Sequence, residues 1–152
     1  MIRPGTEEDF PRLKQLLVWS LAEGTLGPEH ETDPKVIIQI VSKALLDREG
    51  VWICEDDKRE IVGFLLWIAA TDAKLVCGHG AYLLPKHRGK QGREQIGFDG
   101  LAKMAAEYWL TQGRTRILSA VRKDNARALS LATAFGYEVS GYLLERELDQ
   151  WQ

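Results

Sequence analysis

The sequence predicts an α/β (α+β) fold: a mixed, mostly antiparallel central sheet of about seven strands with helices on both faces. Three observations carry that expectation. Apolar stretches of strand length and stretches of helical period follow one another in the order β-α-α-β-β-β-α-β-α-β-β. The middle of the chain holds three successive strands, an antiparallel meander. A strand–helix–strand unit comes next, and the two together imply a mixed sheet covered by helices.

Ile2 and Arg3 form a short first strand, ended by Pro4-Gly5. Thr6 is placed as an N-cap, with Glu7, Glu8 and Asp9 in the first turn, where acidic groups suit the helix dipole. Leu13, Leu16 and Leu17 give that helix its apolar stripe. Residues 24–32 form a loop rich in Gly, Pro and charge. Asp33-Pro34 opens a second helix, a capping side chain followed by proline at the first helical position. Its stripe is Val36, Ile37, Ile40, Val41, Ala44 and Leu45.

Residues 51–55 and 61–70 read as two strands joined by the tight turn Asp56-Asp57-Lys58-Arg59, and residues 74–84 as a third. A long helix then carries Leu101, Met104, Ala105 and Tyr108 on one face and ends at Gly113. Gly97 and Gly100 weaken it by roughly 1 kcal/mol each. Residues 115–121 are a strand. Asp124 or Asn125 caps a last helix with Ala128, Leu131, Ala132 and Phe135 on one face. Residues 137–140 and 142–148 are the closing strands.

With 152 residues the chain suits one domain, 1–152, with a sizeable core. A net charge of -2 argues against a general nucleic-acid binder, whose affinity comes mostly from phosphate neutralisation. Cys54 and Cys77 read as reduced thiols in apolar strands, and no Cys or His lies at metal-ligand spacing, so no metal is expected. The N-terminal residues lack the apolar core of a signal peptide, and the longest mostly apolar run, residues 61–70, is too short to span a bilayer. A cytoplasmic protein with no membrane partner is the expectation. The five tryptophans are scattered through different elements and are expected in or beside the core.

The most informative stretch is residues 81–94, Ala-Tyr-Leu-Leu-Pro-Lys-His-Arg-Gly-Lys-Gln-Gly-Arg-Glu. An apolar strand runs into a basic, glycine-containing loop that opens a helix. Unpaired N–H groups and a partial positive charge sit at a helix start. Lys86, Arg88, Lys90 and Arg93 fall within eight positions. Gathered there they are unfavourable with the dipole, so an anion partner is the economical explanation: a phosphate or pyrophosphate cradle.

The element order, together with two motifs, resembles the GNAT superfamily of acyl-CoA-dependent N-acyltransferases over nearly the whole chain. The first motif is Leu83-Leu84-Pro85-Lys86-His87-Arg88-Gly89-Lys90. It is similar to the family's fourth-strand end and pyrophosphate loop. The second is Asn125-Ala126-Arg127-Ala128-Leu129, continuing to Phe135-Gly136-Tyr137. The resemblance implies acetyl-CoA as co-substrate, lying where the strand ending at Leu84 splays from the strand at Ile117. Leu83 and Leu84 would pair with the pantetheine arm, and a backbone N–H near Leu83 would polarise the thioester carbonyl. Arg88, Gly89, Lys90, Gln91, Gly92 and Arg93 would hold the pyrophosphate, and Asn125 would reach the cofactor from the facing helix.

Two departures from the family pattern matter. Its loop reads Arg/Gln-x-x-Gly-x-Gly/Ala; counted from Arg88, those glycine positions hold Gln91 and Arg93, and Gly92 is one place out of register. Either these side chains crowd the phosphates, or the loop is one residue longer and uses Gly92. The tyrosine acid found in many members is Ala132 here, and Tyr142 replaces it only if the closing strand reaches the cleft. The strand ending at Leu84 holds no Asp or Glu; His79 is its only group whose unperturbed pKa lies near neutrality, and it is the strand's candidate for a catalytic role. His30, Glu29 and Glu31 lie in the loop where the family builds its acceptor pocket.

The leading expectation is therefore an N-acetyltransferase that moves an acetyl group from acetyl-CoA to a primary amine through a ternary complex. The alternatives are a GNAT-like CoA-binding or regulatory domain without catalysis, and a GNAT-like nucleic-acid-modifying protein, against which the acidic charge counts. The amine acceptor is not legible, and monomer and homodimer both remain open.

Overall fold

A computed structural model describes residues 1–27, 30, 33–134 and 136–142. Among them one sheet of five strands runs in the order β1-β2-β3-β4-β5. The strands are β1 (Ile2–Pro4), β2 (Val51–Glu55), β3 (Ile61–Ala69), β4 (Leu75–Leu83) and β5 (Arg116–Ser119). The first four pair antiparallel, as a meander requires. β5 pairs parallel to β4, because the chain between them crosses over through helices. The helices are α1 (Phe10–Glu23), α2 (Pro34–Leu46), α3 (Lys90–Ile96), α4 (Leu101–Thr111) and α5 (Ala126–Ala134).

The period-2 alternation of the strands sorts the core into two layers. Ile53, Phe64, Leu66 and Tyr82 face α1 and α2, meeting Leu13, Leu16, Leu17, Ile37, Val41 and Leu45. Their neighbours Trp52, Cys54, Leu65 and Leu83 face the other way, onto Ile96, Leu101, Ala105 and Trp109. Helices therefore cover both faces, as expected.

The local signals at the helix starts act as read. Thr6 N–H donates to Asp9 Oδ2 at 2.8 Å in a capping box that opens a short 3-10 turn before α1. Asp33 accepts from Lys35 N–H at 3.1 Å, ahead of Pro34. Gly24 closes α1 in the left-handed region, with φ 69°.

Two expectations need correction. The long helix after the basic loop is two helices: Gly97 adopts φ 73°, caps α3, and a 3-10 turn at Phe98–Gly100 leads into α4. A glycine free to enter the left-handed region ends a helix rather than only weakening it. The sheet has five strands among the described residues, not about seven. Residues 137–140 are not a strand, and Tyr142 belongs to none. The rest of the last expected strand, residues 143–148, lies outside the described residues.

Candidate active site

β4 is irregular where it matters. Its register with β3 runs Leu66↔Gly80 and then Trp67↔Gly78, so His79 is an extra residue, a β-bulge. Gly80 beside it has φ 139°, and a Cβ there would lie 2.9 Å from the Thr25 carbonyl oxygen. The bulge falls where β5 leaves β4 and the loop after α1 takes over the edge, with Leu26 bridging to Gly80 and Gly27 N–H donating to His79 C=O at 3.0 Å. β5 pairs only with Leu75, Val76, Cys77 and Gly78. Gly78 lies so close under β5 that a Cβ would overlap Ser119 Oγ, at 2.1 Å.

Beyond the bulge the direction of the backbone groups follows from the ladder. Leu84 N–H donates to Val62 C=O at 2.9 Å, which makes Leu83↔Gly63 a non-hydrogen-bonded pair. The N–H and C=O of Leu83 therefore point away from β3, to the edge that β5 has left. Ala81, two residues back, points the same way. Leu83 C=O accepts from Arg88 Nε at 2.7 Å. Leu84, expected to share the edge, has both backbone groups engaged: its C=O accepts from His87 N–H at 2.9 Å. The outward edge is that of Leu83.

The basic loop leaves β4 through a 3-10 turn at Pro85–His87, and Gly89 is the N-cap residue of α3. Arg93 N–H donates to Gly89 C=O at 2.9 Å, which leaves the N–H groups of Lys90, Gln91 and Gly92 without helical acceptors. The two loop glycines differ. Gly89 faces open space, whereas a Cβ at Gly92 would strike the His87 carbonyl oxygen. Gly92 therefore lets the first turn of α3 lie against the His87 backbone, and does not itself face outward.

The cations of the loop are partly neutralised. Arg88 pairs with Glu23 at the end of α1 and lies 5.3 Å over the Tyr82 ring. Tyr82 OH donates to the same Glu23 at 3.1 Å; burial, with Glu23 adding to it, raises its phenol. Arg93 Nε lies 3.1 Å from Asp99 Oδ1, and Lys90 is exposed, 4.0 Å from Glu94. Gln91 is exposed as well.

His79 has a partner that no spacing rule links to it: His30 Nε2 lies 2.8 Å from His79 Nδ1 across 49 positions. Asn125 Oδ1 accepts from Ala128 N–H at 3.0 Å, so its side-chain oxygen caps α5. Tyr142 is 89% exposed and in no described strand, so the condition attached to it is not met among the described residues. Glu29 and Glu31 lie outside the described residues. A cavity of about 380 Å³ between Phe10 of α1 and Leu46 of α2 contains none of these groups.

No family model and no curated protein matches the sequence. Solved structures do match. The structure of yncA from Salmonella typhimurium, described as an acetyltransferase with its cofactor acetyl-CoA, is 16% identical with a TM-score of 0.69. The match covers 93% of this chain and 80% of that one. Ribosomal-protein-alanine N-acetyltransferase from Brucella melitensis is 19% identical with a TM-score of 0.69, over 91% and 84% of the two chains. Aminoglycoside 6'-N-acetyltransferase AAC(6')-Ih from Acinetobacter baumannii is 17% identical with a TM-score of 0.63, over 97% and 96%. The chain has the GNAT-type N-acetyltransferase fold.

Proposed function

We propose that the protein is an N-acetyltransferase that moves an acetyl group from acetyl-CoA to a primary amine, of a small molecule or a protein, in a ternary complex. One observation carries this reading: the outward backbone of Leu83, beside the gap where β5 has left β4, leads directly to the unpaired N–H groups of residues 90–92. An extended pantetheine arm fits the first as an added strand, and a pyrophosphate fits the second.

In this reading Leu83 N–H pairs with the pantetheine arm or polarises the thioester carbonyl, an oxyanion-type contact. Lys90, Gln91 and Gly92 N–H hold phosphate oxygens, with Arg88, Gly89 and Arg93 shaping the loop. Asn125 holds α5 facing the cleft. The amine, once deprotonated, attacks the thioester carbonyl carbon, and the thiolate leaves and is protonated. A covalent cysteine route has no support. Burial pushes the Cys54 thiol up to about 12, and Cys77 lies inside β4, paired with Ile68 and Leu118. We place the protein in the cytoplasm; no described helix is long and apolar enough to cross a membrane.

A second reading, a CoA-binding or regulatory domain without catalysis, is favoured by two observations. Arg88 and Arg93 already pair with Glu23 and Asp99, and Tyr142 is exposed. Thiol release from acetyl-CoA over a panel of primary amines decides between them. Amine-dependent release supports the enzyme; acetyl-CoA binding without release for any amine supports the second reading.

A further inference from the structure

Glu23 is the last residue of α1, at the helix end where a negative charge is unfavourable with the dipole. No basic residue lies in that last turn to offset it. Two donors from elsewhere in the chain hold it instead. Tyr82 OH donates to Oε1 at 3.1 Å, and Arg88 donates to Oε2 through a terminal guanidinium nitrogen. Tyr82 is 3% exposed and packed in the layer under α1 and α2, whereas Arg88 and Glu23 are each about a third exposed.

The same guanidinium donates from Nε to Leu83 C=O at 2.7 Å. Arg88 thus fills the space between the Glu23 carboxylate and the strand edge at which the pantetheine arm is proposed to pair. The backbone keeps Glu23 beside that edge. Past Gly24, Leu26 bridges to Gly80 of β4, so the end of α1 is tied to the strand.

We propose that Glu23 binds the ammonium group of the acceptor amine, and that Arg88 masks it in the free protein and releases it when acetyl-CoA binds. The proposal rests on the acetyltransferase reading above. Arg88 directly precedes Gly89, the N-cap residue of α3, and so lies next to the N–H groups of residues 90–92 that would hold the pyrophosphate. A diphosphate carries more negative charge than one carboxylate and suits the planar fork of a guanidinium. It draws Arg88 away from Glu23. Oε2 is then left at the Leu83 edge with its charge uncompensated, while Tyr82 keeps Oε1 in place as a positioning residue. A primary ammonium, a compact charge with three donors, fits the space the guanidinium leaves. The substrate class is a cationic primary amine; an anionic group at this position would meet Glu23 as a like charge.

The masking also sets an order. The amine finds its carboxylate occupied until the cofactor has bound, so cofactor and amine favour each other's binding by the same factor.

The test uses n-pentylamine, 1,5-diaminopentane and lysine amide as acceptor probes for thiol release from acetyl-CoA, with acetyl-CoA calorimetry beside it. Glu23→Gln should raise KM for the amines about 10- to 100-fold, with acetyl-CoA bound no more weakly than by wild type. Glu23→Asp should recover part of the loss, and Tyr82→Phe should raise the same KM by a smaller factor. Calorimetry of 1,5-diaminopentane should show binding about tenfold tighter to the CoA-saturated wild type than to the free protein, and Arg88→Ala at saturating CoA should erase that ratio. An unchanged amine KM in Glu23→Gln, or equal weakening of amine and acetyl-CoA, overturns the ammonium site and leaves the acetyltransferase reading intact. Equal diamine binding with and without CoA overturns the masking. A wild type that binds acetyl-CoA but releases thiol with none of the three amines overturns the site; one that binds no acetyl-CoA overturns the acetyltransferase reading with it.

Discussion

Gly92 rests on the backbone of His87: a Cβ at position 92 would lie 2.7 Å from the His87 carbonyl oxygen. That oxygen is part of a turn and cannot rotate away as a side chain would. Gly92→Ala is therefore expected to cost about 1–3 kcal/mol of stability and to weaken acetyl-CoA binding by opening the loop. Gly89 faces open space with φ -65°, so Gly89→Ser should stay within about 0.5 kcal/mol of wild type, its hydroxyl capping α3. Urea unfolding of both variants checks the contrast; equal stabilities would contradict it.

Arg88 joins three parts of the site, through Leu83 C=O, Glu23 and the Tyr82 ring. Arg88→Lys keeps the charge and loses the fork that makes these contacts together. We expect acetyl-CoA binding to weaken about tenfold in Arg88→Lys, which is about 1.4 kcal/mol, and further in Arg88→Ala. Glu23→Gln removes the competing carboxylate and should tighten binding. Calorimetry on the three variants reads the order, and unchanged affinity in Arg88→Ala would remove Arg88 from the binding account.

Asp9 gives the fold an acid-sensitive joint. Burial raises its carboxyl, but hydrogen bonds from the Arg3 guanidinium and from Thr6 outweigh that and hold it below the usual carboxylate range. Arg3 donates to both Asp9 oxygens at 2.9 Å and to Glu55 at 2.7 Å. A depressed carboxylate stabilises fully above its unfolded-state value, about 3.9, and the gain is lost as pH falls through the lower folded-state value. Arg3 is a third exposed, which screens the pair, so Asp9→Asn should cost about 1–3 kcal/mol at neutral pH. Unfolding midpoints from neutral to acid pH should fall more steeply for wild type than for Asp9→Asn below about pH 4; parallel curves would contradict this.

Much of the fold was legible because its signals are local. The caps at Thr6 and Asp33 and the apolar runs of β2, β3 and β4 depend on neighbours a few residues apart. The glycine break at Gly97 was visible as a residue but not as a conformation. The site was legible in part. Leu83 and the loop after it stand out by composition, and Gly78 and Gly80 on either side of His79 hint at a bulge. Arg88–Glu23 and His30–His79 are contacts across 65 and 49 positions, created only when α1 and its following loop fold over β4. Leu84 shows the limit of the motif: its resemblance is to an edge residue, and the ladder turns its N–H inward to Val62.

Titration of acetyl-CoA and of CoA into the wild-type protein by calorimetry tests the central claim most directly. The account predicts micromolar binding of both ligands, carried by the Leu83 edge and the N–H groups of residues 90–92. No heat of binding with either ligand at millimolar concentration would contradict it, and would leave a GNAT-type fold with another task.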